Sequence, residues 1–303
     1  MEKILIYGHK NPDTDTICSS LALADLQAKL GKKVQAVRLG DLNKETEYAL
    51  NYFNVNVPEK IEKLEDGQEV MLVDHNEFGQ SAEGIENAKI RMVVDHHKIA
   101  NFCTSEPLYY VAEPVGCTST VLYGLYKKYN VEIEKKTAGL MLSAIVSDTL
   151  LFKSPTTTEM DKLACEELSK IAKVDMESYA MEMFKAGTSL DEFSIEEIVN
   201  MDFKEFDMSG KRVGIGQVFT LDIDSILAKK DDFLSHIHST EYDILVLAIT
   251  DIIKEGSYLI YKSEDKVISE AFNVDASQGI FAEGVVSRKK QLVPNLTTAV
   301  KNM

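Results

Sequence analysis

Short apolar runs rich in β-branched residues recur along the first half of the chain, at 3–7, 33–38, 69–73, 90–94 and 108–111. Between and after them the apolar positions change to helical spacing. Ile17, Leu21, Ala24 and Ala28 share one face, with Thr14, Asp15 or Thr16 available as N-cap. Further helices are expected at about 117–129, 134–147, 158–172 and 176–185. Short strands alternating with helices predict an α/β domain, a parallel sheet with helices on both faces.

The pattern breaks at Ala186-Gly187-Thr188-Ser189-Leu190-Asp191, where small and polar residues cluster. Beyond it the chain reads as strands at 201–206 and 212–219, an Asp-rich helix at 222–239, strands at 244–250 and 257–261, then a polar, Gly-containing tail. A length of 303 residues exceeds what one core usually organises. The expected layout is a first domain at 1–187, a hinge at 188–192, and a smaller mixed α+β domain at 193–303.

Composition narrows the classes of function. No run of about 18 apolar residues exists to span a bilayer. The first residues, MEKILIYGHK, lack the basic and apolar regions of a secretory leader. Cys18, Cys103, Cys117 and Cys165 lie far apart without a C-x-x-C pair. A cytoplasmic location, away from membranes, is therefore expected. The formal net charge of −16 repels a polynucleotide at long range. A small anion stays compatible, because metals and a few Lys or Arg make a pocket locally positive.

Open parallel sheets bind ligands beyond the carboxyl ends of their strands. The first strand runs into His9-Lys10-Asn11-Pro12-Asp13-Thr14-Asp15, the third ends in Asp74-His75-Asn76, and the fourth in Asp95-His96-His97. Four of the six histidines thus follow strands that finish on one edge. Each residue alone is an ordinary turn former or cap. Several carboxylates converging without cations would be costly, so divalent metal is the economical explanation. The H-x-x-x-D-x-D spacing directs His9 and Asp13 at one ion and Asp15 at a neighbour, with Asp74 able to bridge. Asp148 ends a helix, where a carboxylate meets the negative end of the dipole and gains from a cation.

Taken together, GHKNPDTDTICSS at 8–20, DHNE at 74–77, DHH at 95–97, SDTLLFKSPTTT at 147–158 and SRKKQLVP at 287–294 resemble the family II inorganic pyrophosphatases, within the DHH phosphoesterase superfamily. The resemblance implies that His9, Asp13 and Asp74 hold one metal and that Asp15, Asp74, His96 and Asp148 hold the other. It further implies that Asp95 orients its neighbours and that His97 faces substrate and helps protonate the departing phosphate. Lys204, Arg288 and Lys289 of the second domain would grip phosphate oxygens in a cleft between the domains. A homodimer formed through the first domain, and no adenine-nucleotide control, also follow from the resemblance.

Two imidazoles among six ligands favour Mn²⁺, with Co²⁺ as the alternative, and two ions per subunit. Four ligand carboxylates balance those ions, so Lys204, Arg288, Lys289 and Mg²⁺ arriving with the substrate must attract pyrophosphate. A water bridging both metals is expected to attack phosphorus in line. The competing readings are a DHH phosphodiesterase acting on short oligonucleotides or cyclic dinucleotides, and a non-catalytic metal or phosphate binder. The first lacks its glycine-rich C-terminal motif here, and the second has no use for a substrate-facing His97.

Overall fold

A computed structural model describes residues 3–251 and 253–302. The chain divides into two compact units, one ending at Gly187 and the other starting at Thr188.

The first unit is built on a six-stranded sheet of order β3-β2-β1-β4-β5-β6. Its strands are β1 (Ile4–Tyr7), β2 (Val34–Arg38), β3 (Glu59–Lys60), β4 (Glu69–Val73), β5 (Lys89–Asp95) and β6 (Tyr109–Ala112). All pairings are parallel. The chain therefore grows outward from β1 in one direction and returns to its other side at β4. Ligand crevices form at such reversals.

Helix α1 (Thr14–Lys29) buries residues around most of its circumference. It is covered by the sheet on one side and by α3 (Thr118–Tyr129) and α4 (Lys135–Asp148) on the others. A helix enclosed in this way shows little amphipathic periodicity. The N-cap is Asp13, whose carboxylate accepts from Thr16 N at 2.9 Å, so Asp15 falls inside the first turn rather than capping it. Behind these helices lie α2 (Lys44–Tyr52), α5 (Glu159–Ala172) and α6 (Met176–Gly187).

The opposite face of the sheet differs from the expected second helical layer. Tyr7, Val70, Leu72 and Val93 pack there against Leu64, Ala82, Ile85, Phe78 and Phe102, which come from loops and two single 3₁₀ turns. The 74–88 connection, interrupted by Gly79 and Gly84, folds as two 3₁₀ turns rather than a helix.

The second unit holds a five-stranded sheet of order β11-β10-β9-β8-β7. Its members are β7 (Phe203–Met208), β8 (Lys211–Phe219), β9 (Ile244–Asp251), β10 (Gly256–Lys262) and β11 (Ile280–Glu283). Only β8 and β9 pair in parallel, so the sheet is mixed. Along β9, Ile244, Val246 and Ala248 enter one core while Leu245, Leu247 and Ile249 enter the other. The continuous apolar run of a strand buried on both faces follows from that alternation.

Helices α7 (Ile195–Asn200), α8 (Ile223–Ala228) and α9 (Lys230–Ser239) pack on one side. The Asp-rich segment is thus two helices, broken at Lys229, whose ψ of 14 leaves the helical range. The expected polar tail is instead α10 (Asp265–Phe272), β11, one π turn (Arg288–Leu292) and α11 (Val293–Lys301). Its apolar residues are sparse but regularly placed: Val267, Ile268, Ala271 and Phe272, then Leu292, Leu296, Ala299 and Val300, close the other core.

Gly139 faces Phe53 across the α2 and α4 layers, and a Cβ there would lie 2.3 Å from the ring. The Phe53 ring is itself packed against Tyr179, at 5.3 Å between centroids. Gly139→Ala gains about 1 kcal/mol of helix propensity but must displace that aromatic cluster. The expected balance is a net loss of about 1–3 kcal/mol, read as a lower denaturation midpoint of the first unit. A midpoint equal to or above that of the parent would contradict this packing.

Candidate metal centre

The order reversal places the ends of β1 and β4 side by side, with β5 next to them. His9 follows β1 by two residues, and Asp13 and Asp15 open α1. Asp74 leaves β4 with φ 59, a left-handed conformation that Asp tolerates better than most residues. Asp95 closes β5, with His96 and His97 immediately after it, and Asp148 is the last residue of α4.

These side chains converge. Three sets offer ligand atoms lying within 4.8 Å of one another: His9, Asp13 and Asp74; Asp15, His96 and Asp148; and Asp74, His96 and His97. His9 Nε2 lies 3.5 Å from Asp13 Oδ2 and 3.3 Å from Asp74 Oδ2. His96 Nε2 lies 3.5 Å from Asp74 Oδ1 and 3.9 Å from Asp148 Oδ2. Asp74 thus presents one oxygen to each histidine.

Hydrogen bonds aim these groups. Asp74 Oδ2 accepts from Thr16 Oγ1 at 2.6 Å, and Oδ1 from Thr118 Oγ1 at 3.2 Å. Asp15 accepts from Ser19 Oγ at 2.6 Å and from Thr118 N at 2.8 Å and Ser119 N at 3.3 Å, the first amides of α3. Asp95 Oδ1 lies 3.0 Å from both the His97 amide and its Nδ1. Asn76 donates to Asp95 Oδ2 at 2.7 Å. Sequence reasoning missed Thr16, Thr118 and Asn76. Thr16 and Asn76 sit inside the quoted motifs, whereas nothing local distinguishes Thr118.

The donor chemistry tests whether metal fits. His96 Nδ1 lies 3.1 Å from Val115 O, which can only accept, so Nδ1 carries hydrogen and Nε2 turns its lone pair toward carboxylates. Two acceptors facing one another require a proton or a cation between them. Burial pulls the His9 pKa down, but Asp13 and Asp74 outweigh it and raise it to about 10. His96 follows the same logic, with burial overcome by Asp74 and Asp15, and reaches about 9. Burial and Asp74 push Asp15 up to about 6. Burial and then Asp15 push Asp148 far above the carboxylate range. Burial would also raise Asp74, but His9, His96 and Thr16 hold it low. The cluster gathers protons where divalent ions would serve, and the residues of the three sets could hold such ions.

Beside it, a hollow of about 170 Å³ is lined by His9, Asp74, His75, Asn76, Glu77, Gln80, His97 and Lys98. The Nδ1 of His75 bonds Val73 O at 2.9 Å, and His75 belongs to none of the three ligand sets.

The second unit has its own groove of about 540 Å³, lined by Lys204, Phe206, Gln217, Phe219, Val286, Ser287, Arg288, Lys289 and Val293. The structure thus brings Lys204, Arg288 and Lys289 together on that unit. Arg288 N donates to Gln217 Oε1 at 3.1 Å, and its guanidinium bonds the Asp202 carbonyl and, at 2.7 Å, the Asp202 carboxylate. Gln217 Nε2 donates to Thr250 Oγ1 at 2.9 Å and Val286 O at 3.1 Å, pinning the cationic segment to the sheet. Gln217 carries no motif signal, and only its tertiary partners reveal it.

Residues 3–145 match the model of the DHH family, N-terminal domain, and residues 181–299 that of the DHHA2 domain. The chain is 50% identical over 309 residues to a probable manganese-dependent inorganic pyrophosphatase of Oceanobacillus iheyensis, covering 99% of this chain and 100% of the relative. It is also 50% identical over 307 residues to the manganese-dependent inorganic pyrophosphatase of Bacillus subtilis, covering 99% of each. Among solved structures, a putative family II inorganic pyrophosphatase of Methanococcus jannaschii aligns with a TM-score of 0.61 and 43% identity, covering 98% of this chain and 99% of that one.

A consequence follows for the metal-free protein. His9 and His96 have raised folded-state pKa values, so the stability they contribute is present below about 6.5 and lost as pH rises toward 9 and 10. In chelator, the thermal midpoint of the first unit should therefore fall between pH 6.5 and 9. Saturating Mn²⁺ at pH 8.5 should restore it, since a ligand bound only by the folded state stabilises by mass action. A chelated midpoint that is flat over this range, with no response to Mn²⁺, would contradict the cluster.

Proposed function

The chain belongs to the family II, manganese-dependent inorganic pyrophosphatases of the DHH superfamily, and from that premise we propose that it hydrolyses pyrophosphate to two phosphates at the His and Asp cluster. The observation that carries this reading is the meeting of three ligand sets, drawn from the ends of β1, β4, β5 and α4, at one place. In this reading His9, Asp13 and Asp74 hold one manganese ion, and Asp15, Asp74, His96 and Asp148 hold a second. When bound, the ions supply Lewis-acid charge and make water a usable nucleophile near neutral pH.

The chain's own residues do the rest. The Asp95 carboxylate lies 3.0 Å from the His97 Nδ1 and raises the pKa of the ring, which favours its protonated form. Its half-exposed ring leaves Nε2 available to give a proton to the departing phosphate. Asp13, Asp15, Asp74 and Asp148 offset the ions, so the site needs further positive charge to attract pyrophosphate. Lys204, Arg288 and Lys289 supply it, together with Mg²⁺ carried by the substrate. Among the described residues no helix is long and apolar enough to cross a membrane. The reading includes a cytoplasmic location and a homodimer assembled through the first unit, whose sheet ends in the edge strand β6.

Arg288 tests the substrate half of the reading. Its guanidinium fork engages two oxygens at once, which a lysine cannot imitate. Arg288→Ala is expected to lower kcat/KM for magnesium pyrophosphate by ~10²-fold or more while leaving Mn²⁺ affinity intact, and Arg288→Lys to be impaired as well. Phosphate release and Mn²⁺ titration calorimetry check both halves. Parent-like kinetics in both variants would remove Arg288 from substrate binding. Mononucleotide release from a dinucleotide that outpaces phosphate release from pyrophosphate would favour the diesterase reading.

A further inference from the structure

The side chain of Asp161 is fully buried on the first turn of α5, and no cation is among the partners that hold it. Its donors are neutral: Thr120 Oγ1 at 2.6 Å, Thr158 N and Oγ1 each at 2.7 Å, and Gly116 N, at 2.9 Å from Oδ2 and 3.1 Å from Oδ1. The Gly116 amide belongs to the same planar peptide group as the Val115 carbonyl. That carbonyl is the group which accepts from His96 Nδ1 at 3.1 Å.

The geometry points to a relay: the Asp161 carboxylate acts as a positioning residue for His96, pulling on the Gly116 N–H and so strengthening the Val115 carbonyl that orients the imidazole. It rests on the reading of His96 as a metal ligand. An ionised acceptor makes a stronger hydrogen bond than a neutral one, and bonds in series polarise each other. A histidine that ligates metal through one nitrogen needs its other N–H held by an acceptor, which fixes the tautomer and raises the basicity of the ligating atom. Here the acceptor is a peptide oxygen, and the negative charge stands one peptide further back.

The contact is close enough to dictate its residue. A Cβ on Gly116 would lie 2.8 Å from Asp161 Oδ2 and 2.8 Å from Thr149 Cγ2, so a side chain there pushes the peptide off the carboxylate. Thr149 directly follows Asp148, a member of the same ligand set as His96. The peptide is therefore wedged between the buried carboxylate and the segment that carries another ligand.

Asp161 also completes a capping box with Thr158 at the start of α5, so the relay must be separated from plain support of the helix. Thr158→Ala weakens the cap and leaves the Gly116 contact. Asp161→Asn removes the charge at nearly constant volume, and Gly116→Ala displaces the peptide while keeping the carboxylate. Each variant, with His96→Ala as reference, is compared by Mn²⁺ titration calorimetry, by thermal midpoint, and by the His96 Nδ1–H resonance of the ¹⁵N-histidine-labelled, Mg²⁺-loaded protein. Direct outer partners of metal-bound histidines are worth about 10–100-fold in affinity, and one step further back the expected loss is about three- to tenfold. Asp161→Asn and Gly116→Ala should show that loss together with an upfield shift of the Nδ1–H signal. Thr158→Ala should bind Mn²⁺ as the parent does, even with a lowered midpoint. Parent-like affinity and resonance in Asp161→Asn and Gly116→Ala, beside a weakened His96→Ala, would overturn the relay alone. Affinity that falls in step with thermal midpoint across all variants, Thr158→Ala included, would reduce Asp161 to a helix cap. Unaltered Mn²⁺ binding in His96→Ala would overturn the ligand assignment and the relay with it.

Discussion

Asp13, Asp15, Asp74 and Asp148 share one edge of a parallel sheet, and their mutual repulsion is the constraint around which the first unit is arranged. Two unit charges 4 Å apart repel by about 4 kcal/mol at an effective dielectric of 20. A helix cap or a neutral hydrogen bond returns about 1 kcal/mol. No reasonable number of local contacts offsets several such pairs, so the charge must be met by protons or by cations. Without cations, Asp148 takes a raised pKa and His9 and His96 are held protonated.

The scaffold supports the arrangement by fixing direction rather than by neutralising charge. Hydroxyls from Thr16, Ser19 and Thr118, and the amides that open α3, hold the oxygens of Asp74 and Asp15 in place. Beyond Asp148, the consecutive residues Leu150, Leu151 and Phe152 all have positive φ, a conformation that costs roughly 1–2 kcal/mol per residue. Strain of that size collects at functional segments when the surrounding structure over-determines it. In the second unit the logic is inverted. Gln217 and Asp202 hold Arg288 by its backbone and by its guanidinium, so the cationic segment is ordered by neutral and acidic partners.

All strands except the short β3 and β11 were legible, most plainly β4, β5 and β9, because a strand buried on both faces shows as an apolar run. The candidate ligands drew notice because acid and histidine follow three strands, β1, β4 and β5, that lie side by side in the sheet. Helix α2 escaped notice because it buries only Thr46, Ala49 and Leu50. The elements after Lys262 escaped because their apolar residues are few and separated by polar ones, although every one of those faces closes a core. Thr118, Gln217 and Asp161 act through partners more than thirty residues away, and periodicity carries no record of such pairings. Alternation of strands and helices carries no record of which connections fold as loops and 3₁₀ turns, as the 74–88 segment does.

The central claim is that this acid cluster is built to be balanced by two manganese ions. Electron paramagnetic resonance of the chelator-stripped chain, titrated with Mn²⁺, counts bound ions and reports whether they are close enough to interact. The account predicts two ions per chain and a spin-coupled spectrum as the second binds, because Asp74 turns one oxygen toward each histidine. Saturation at a single isolated ion, or two ions with independent spectra, would contradict it.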